Sequence, residues 1–249
     1  MEFADLISPL EESRFREVYR QGGCCHIRGA ANRFADLVTL EEIELRLNDG
    51  CNVQAPVQMI GGGKRRPLVD EKIPWARYAV RKTEVLERLK QGDSFLMMNM
   101  SQINPRIAAL VDMIEAAFAD DNVRADVHLY ISTVAEASGY DAHRDFPQHK
   151  LFLQAVGSTH WQIFKPKQVL PSEVTAVSEA EETARLELVQ DFTMNSGDVF
   201  YMPPGVFHKV RNEQGPRISL SIPFVKVPSR EVPRMDRTYI PFKTLFESN

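Results

Sequence analysis

The sequence predicts a mainly β domain with helices gathered in its N-terminal portion, the strands closing into a small antiparallel barrel or jelly roll. Three observations lead there. From Asp126 onward, short strand-like runs separated by turn residues follow one another at 127–131, 150–156, 161–164, 186–192, 199–202, 208–211 and 217–222. The same half holds no helix-length periodic segment apart from the acidic connection 178–185. Before Asp126 the apolar residues instead recur at helical spacing, as at Ile107, Leu110, Val111, Ile114 and Phe118.

The N-terminal elements follow from local signals. Ser8-Pro9-Leu10-Glu11 joins a capping-box pattern to a proline suited to a first helical turn, predicting a helix through Phe15 and Tyr19 that stops at Gly22-Gly23. A short strand over 24–29 comes next. Thr39-Leu40-Glu41-Glu42 is a second capping box, opening a helix through Ile43 and Leu47 that ends at Asn48-Asp49-Gly50. After an extended run over 52–57, the segment Gly61-Gly62-Gly63-Lys64-Arg65-Arg66-Pro67 reads as a glycine-rich basic turn. It is either a solvated hairpin tip or a flap whose cations meet an acidic substrate, and it lacks the Gly-Lys-Ser/Thr ending of a phosphate-binding loop. A helix over 83–92 with Val85, Leu86 and Leu89 on one face, a buried strand over 94–100 and a helix opened by Asn104-Pro105 complete this portion.

Composition narrows the class. With 249 residues and 43% hydrophobic content the chain can bury a core as one domain: a helix-rich portion (1–125) packed on a barrel core (126–225), followed by an extension (226–249). A net charge of -4 offers no general attraction to polyanions, so neither nucleic acid nor an anionic membrane surface is an expected partner. No apolar run is long enough to span a bilayer, and Met1-Glu2-Phe3-Ala4-Asp5 is acidic where a signal peptide would be basic and then apolar, so a cytoplasmic location is expected. Cys24, Cys25 and Cys51 are odd in number and lack Cys-x-x-Cys spacing, which argues for reduced thiols rather than a disulfide framework or a zinc site.

Chemistry concentrates in Gly139-Tyr140-Asp141-Ala142-His143-Arg144-Asp145. Residues two apart share one side of an extended backbone, so His143 and Asp145 can converge on one ion. A His-x-Asp pair by itself is a weak signal. Here it precedes an apolar strand, and a second imidazole arrives at His208 after a Gly197-Asp198 turn and a Pro203-Pro204-Gly205 corner. Two imidazoles and one carboxylate on one face of a metal leave its remaining positions open, the arrangement of non-haem Fe(II) oxygenases. His149 and His160 read as pocket or surface residues.

The order of these features, with Phe152-Leu153-Gln154-Ala155-Val156-Gly157-Ser158-Thr159-His160-Trp161-Gln162-Ile163 between the His-x-Asp pair and the distal histidine, resembles the cupin-like JmjC hydroxylases near their ribosomal-oxygenase branch. The resemblance spans roughly residues 10 to 225. It implies a double-stranded β-helix, with His143, Asp145 and His208 as metal ligands. It also implies Fe(II), 2-oxoglutarate as cosubstrate, O2, and hydroxylation of a C–H bond with succinate and CO2 as co-products.

One position departs from the pattern. Where the family carries a lysine or arginine for the distal carboxylate of 2-oxoglutarate, this chain has Thr159. A dicarboxylate buried without a cation is costly, so another base is needed. Arg217 and Ser219, in an Arg-x-Ser arrangement on one strand face, are the candidates, with Lys150 next in line. Tyr130, Asn99 and Thr159 are expected to add hydrogen bonds to the cosubstrate. Two alternatives stay open: a metal-dependent cupin enzyme that uses no 2-oxoglutarate, and a non-catalytic cupin binding module. The substrate is a peptide or protein side chain or a small molecule. With the barrel ending near 225 of 249 residues, the dimerisation and winged-helix regions of ribosomal oxygenases are not expected in this sequence, and a homodimer is left open.

Overall fold

The computed structural model describes residues 1–49, 57–68, 81–102, 104–137, 139–228 and 237. The architecture is mainly antiparallel β with helices packed on one face, as the sequence predicts. Six helices lie among the described residues: α1 (Phe3–Ile7), α2 (Glu12–Gln21), α3 (Leu40–Asp49), α4 (Lys82–Lys90), α5 (Pro105–Ala117) and α6 (Glu179–Arg185). The strands are β1 (Cys25–Ile27), β2 (Val57–Gly61), β3 (Lys64–Pro67), β4 (Ser94–Met97), β5 (Val123–Ala125), β6 (His128–Ser132), β7 (Ala142–His143), β8 (His149–Pro166), β9 (Ala176–Val177), β10 (Leu186–Asn195), β11 (Val199–Met202) and β12 (Phe207–Lys226).

Two long strands make the barrel. β8 and β12 run antiparallel along their whole lengths, and each belongs to two layers. One layer has the order β1-β11-β8-β12-β6-β4-β2-β3, built on Lys150–Leu153 of β8 and Arg217–Ser221 of β12. The other sets β10 against the second half of β8 and β7, backed by β9, against the start of β12. The corner between the halves is Gly157, at φ 73°, opposite register shifts between Asn212 and Ser219. A Cβ at Gly157 would run into the Pro216 carbonyl oxygen, so the two bent strands can approach only at a residue without a side chain. The sequence predicts four separate strands over these stretches. Glycine and proline there act as bulges inside continuous strands rather than as turns between short ones.

Apolar burial follows the layers. Phe152, Trp161, Ile163, Met194, Phe200 and Met202, drawn from both layers, fill the interior of the barrel. The outer face of the larger layer is covered by the helices: Phe3, Phe15, Ile107, Val111, Ile114 and Phe118 pack against Leu151, Tyr201, Leu220 and Phe224. The cap predicted at Thr39 is present in both directions, Thr39 N–H donating to Glu42 Oε2 (2.8 Å) and Glu42 N–H to Thr39 Oγ1 (3.2 Å). Asn104 caps α5 by accepting from the backbone N–H groups of Arg106 and Ile107. The box predicted at Ser8 does not form. Ser8 ends α1 instead, and α2 begins at Glu12 behind an extended Glu11. The expected ends at Gly50, most of the run over 52–57 and nearly all of the extension 226–249 lie outside the described residues. No helix among the described residues is long and apolar enough to cross a membrane.

Candidate active site

The bend in β8 and β12 brings the metal-ligand candidates to one mouth of the barrel. His143 on β7 pairs in register with His208 at the start of β12, and Asp145 follows two residues later, its backbone carbonyl accepting from Gly205 N–H (2.9 Å). β7 ends at His143, so Asp145 reaches the histidines from a loop rather than from the strand alternation that the His-x-Asp spacing suggests. One ligand atom from each of His143, Asp145 and His208 lies within 4.8 Å of the others. Asp145 Oδ2 is 3.9 Å from His143 Nε2 and 3.7 Å from His208 Nε2.

Both imidazoles are oriented from behind. His143 Nδ1 donates to the Asp141 carbonyl (2.9 Å) and His208 Nδ1 to the Val206 carbonyl (3.1 Å). A carbonyl can only accept, so each proton sits on Nδ1 and each Nε2 lone pair points toward Asp145. Burial, reinforced by the neighbouring His143, pushes His208 down to about 3, and burial also lowers His143 despite the opposing Asp145 charge. Burial alone would raise Asp145, but Lys150 and the two histidines outweigh it and hold the carboxyl at about 2. At neutral pH the set is therefore two neutral imidazoles and one carboxylate. Lys150 Nζ donates to Asp145 Oδ2 at 2.6 Å and is itself buried.

Two cavities meet at this triad. The inner one is a chamber of about 50 Å3 whose walls include Tyr130, Phe152, Trp161, His208, Arg217 and Ser219. Arg217 is buried with Nε and Nη1 free of any hydrogen-bond partner among the described residues, and its guanidinium lies 5.8 Å above the Tyr130 ring. Burial lowers it to about 10, still well above neutrality, so a permanent cation faces the chamber. Ser219 Oγ donates to Gln154 Oε1 (2.8 Å). The outer cavity is an open groove of about 730 Å3 that passes over the triad.

The structure thus gathers His143, Asp145, His208, Arg217, Ser219 and Tyr130. Thr159 is not in the chamber wall: its hydroxyl donates to Gln154 Oε1 (3.0 Å) and accepts from Trp161 Nε1 (3.0 Å). Asn99 is also outside it, in a turn of left-handed backbone (φ 57°) after β4. His149 and His160 stand away from the triad, hydrogen-bonded to Tyr201 and Asp191 respectively. The contact of Lys150 with Asp145 and the placement of Tyr140, 5.0 Å from His143 with its ring edge-on, carry no periodic signal in the sequence.

A family model described as "JmjC domain" matches residues 97–232, more than half of the chain. The chain belongs to the JmjC family. Over 128 residues, 50% of this JmjC chain and 24% of the relative, it is 27% identical to the bifunctional lysine-specific demethylase and histidyl-hydroxylase NO66 of Dictyostelium discoideum. Among solved structures, E. coli ycfD superposes with a TM-score of 0.62 at 16% identity, over 96% of this chain and 66% of that one. The E. coli ribosomal oxygenase YcfD in complex with cobalt and 2-oxoglutarate gives 0.60 at 16% identity, over 96% and 65%. This JmjC domain therefore spans about a quarter of the curated relative and just under two thirds of those structures, which share its fold.

Proposed function

We propose that this JmjC domain is an Fe(II)- and 2-oxoglutarate-dependent oxygenase that hydroxylates a C–H bond of a peptide or protein side chain. One observation carries the reading: the buried guanidinium of Arg217, whose Nε and Nη1 have no hydrogen-bond partner among the described residues, faces a chamber walled by His143 and His208 of the triad. A buried cation without a counter-ion costs several kcal/mol on the order of a lost buried ion pair, and the carboxylate of a chelated 2-oxo acid would remove that cost. The donor set fits the metal as well, because two neutral imidazoles and a carboxylate on one face suit a divalent iron with open positions.

Iron(II) and 2-oxoglutarate, when bound, would activate O2, which is the oxidant: one oxygen atom would enter the substrate C–H bond and the other the succinate left when 2-oxoglutarate is oxidised with loss of CO2. The chain's residues arrange this. The Asp141 and Val206 carbonyls fix the histidine tautomers, and Lys150 holds Asp145 ionised. Arg217 and Ser219 take the distal carboxylate that Thr159 cannot neutralise, over the face of Tyr130. Phe152 and Trp161 keep water from the chamber. Asn99 takes no part in this arrangement. The groove outside receives the substrate, and the NO66 and YcfD names, a histidyl-hydroxylase and a ribosomal oxygenase, support a protein as that substrate. Free thiols at Cys24 and Cys25 support a reducing, cytoplasmic setting.

A cupin enzyme that uses no 2-oxo acid would need no buried cation at this place, which disfavours the alternative. The test is succinate formation from 2-oxoglutarate with Fe(II) and O2 in the absence of substrate. Iron-dependent succinate is expected from the wild-type chain. Metal binding without succinate formation or 2-oxoglutarate affinity would sink the reading.

A further inference from the structure

We propose that the outer groove binds an extended acidic polypeptide segment, seating a substrate carboxylate on Lys64 and Arg65 while a neighbouring residue lies beside the metal triad. This rests on the oxygenase reading and adds the substrate's charge to it. The hairpin of β2 and β3 is docked on the metal loop rather than projecting into solvent. Gly63 forms a bridge with Tyr140, and a Cβ at Gly63 would come within 2.7 Å of the Asp141 carboxyl, so glycine alone permits the approach. Arg65 Nε donates to Tyr140 Oη (2.7 Å), and Tyr140 in turn lies against His143.

This docking makes the hairpin one end of the groove. β9 pairs with β7 through Ala176 and His143, so the segment from Thr175 to Glu181 forms the opposite end, with the triad between. The two ends differ in available charge. At the far end, Glu181 already accepts from Ser178 Oγ (2.8 Å) and pairs with Arg185. At the hairpin, Lys64 and Arg65 are exposed and neither has an acidic partner within ion-pair distance among the described residues. The Asp141 carboxyl lies against Gly63 and makes no ion pair with either cation among the described residues. The charge of Arg65 also reaches inward, helping to lower His128 and His143. An exposed guanidinium and ammonium at one end of the groove favour an anionic partner there over a cationic one. The groove is open to solvent and is lined by residues of the hairpin, the metal loop and the segment after β9, which leaves room for several residues of extended chain.

Fluorescein-labelled decapeptides alternating glycine with glutamate, lysine or serine serve as probes, with binding read by anisotropy on protein loaded with Mn(II) and 2-oxoglutarate. The glutamate peptide is expected to bind about tenfold more tightly than the lysine peptide, the sum of two exposed charge pairs, with the difference shrinking as salt rises. Lys64→Arg with Arg65→Lys should keep the preference, and Lys64→Glu with Arg65→Glu should reverse it, circular dichroism melting confirming that both variants fold. Equal binding of the glutamate and lysine peptides, no binding of either, or a preference untouched by the charge reversal would overturn the proposal. Uncoupled succinate formation by the wild-type protein is measured separately. Its absence beside an intact peptide preference would condemn the oxygenase reading, not the groove.

Discussion

At the scale of single residues, the triad and the guanidinium above Tyr130 carry the proposed chemistry, and each makes a separate prediction. Asp145→Ala removes the one anionic ligand; iron-dependent succinate formation should vanish with the far-ultraviolet spectrum unchanged, while the melting temperature falls because buried Lys150 loses its carboxylate partner. Arg217→Gln keeps hydrogen-bonding capacity but loses the charge. Since a hydrogen bond to a charged group is worth about 1.5–3 kcal/mol, the 2-oxoglutarate requirement should rise roughly 10- to 100-fold in a titration of succinate formation against cosubstrate. His128 tests electrostatics away from the ligands. Burial, with help from Lys150 and Arg65 and against Asp145, lowers it to about 4, so the folded chain keeps it neutral while the unfolded chain takes up a proton below about pH 6.5. Its stabilising neutrality is complete above pH 6.5 and lost as pH falls toward 4. Urea midpoints over that window should fall less steeply for His128→Asn than for the wild type.

At the scale of elements, legibility depended on whether the signal was local. Thr39 with Glu42, and Asn104 before Pro105, are caps whose partners stand two or three residues away, so helix starts could be read directly. Asn104→Ala removes a cap that also donates to the Leu37 carbonyl (3.3 Å), and should cost about 1–2 kcal/mol in urea unfolding. Ser8 carried the same local pattern and failed: it closes α1, and the N-cap of α2 falls three residues later at Glu11. Strand continuity was illegible too: Gly157 and Gly215-Pro216 have turn composition, and only the facing strand reveals them as a corner. Gly157→Ala meets both a left-handed backbone and the Pro216 carbonyl, so it should destabilise by more than the roughly 1 kcal/mol of left-handed strain alone. In the site, the residues picked out by the motifs, His143, Asp145, His208 and Arg217, stand near one another in the fold. Thr159 was drawn away because Gln154 and Trp161 occupy its hydroxyl, a contact across the barrel interior that no sequence window contains.

At the scale of the whole molecule, most of the hydrophobic core lies between the helices and the larger layer, away from the metal mouth. Chelation with EDTA should therefore leave a cooperative thermal transition and an unchanged far-ultraviolet spectrum, with a melting temperature lowered only by the binding free energy of the lost ion. A site on such a scaffold can change ligands without unfolding its support. The long pairing of β8 with β12 adds a constraint in time. β12 supplies His208, Arg217 and Ser219, and every strand it pairs with, β5, β6, β7 and β8, is synthesised before it. A nascent chain that has not yet emerged past Phe207 thus holds one candidate histidine ligand and one carboxylate but neither the second imidazole nor the guanidinium. Because these contacts are non-local, their formation is intrinsically slow, and competence for iron and for the cosubstrate should arrive together, late, as a single step on the folding pathway.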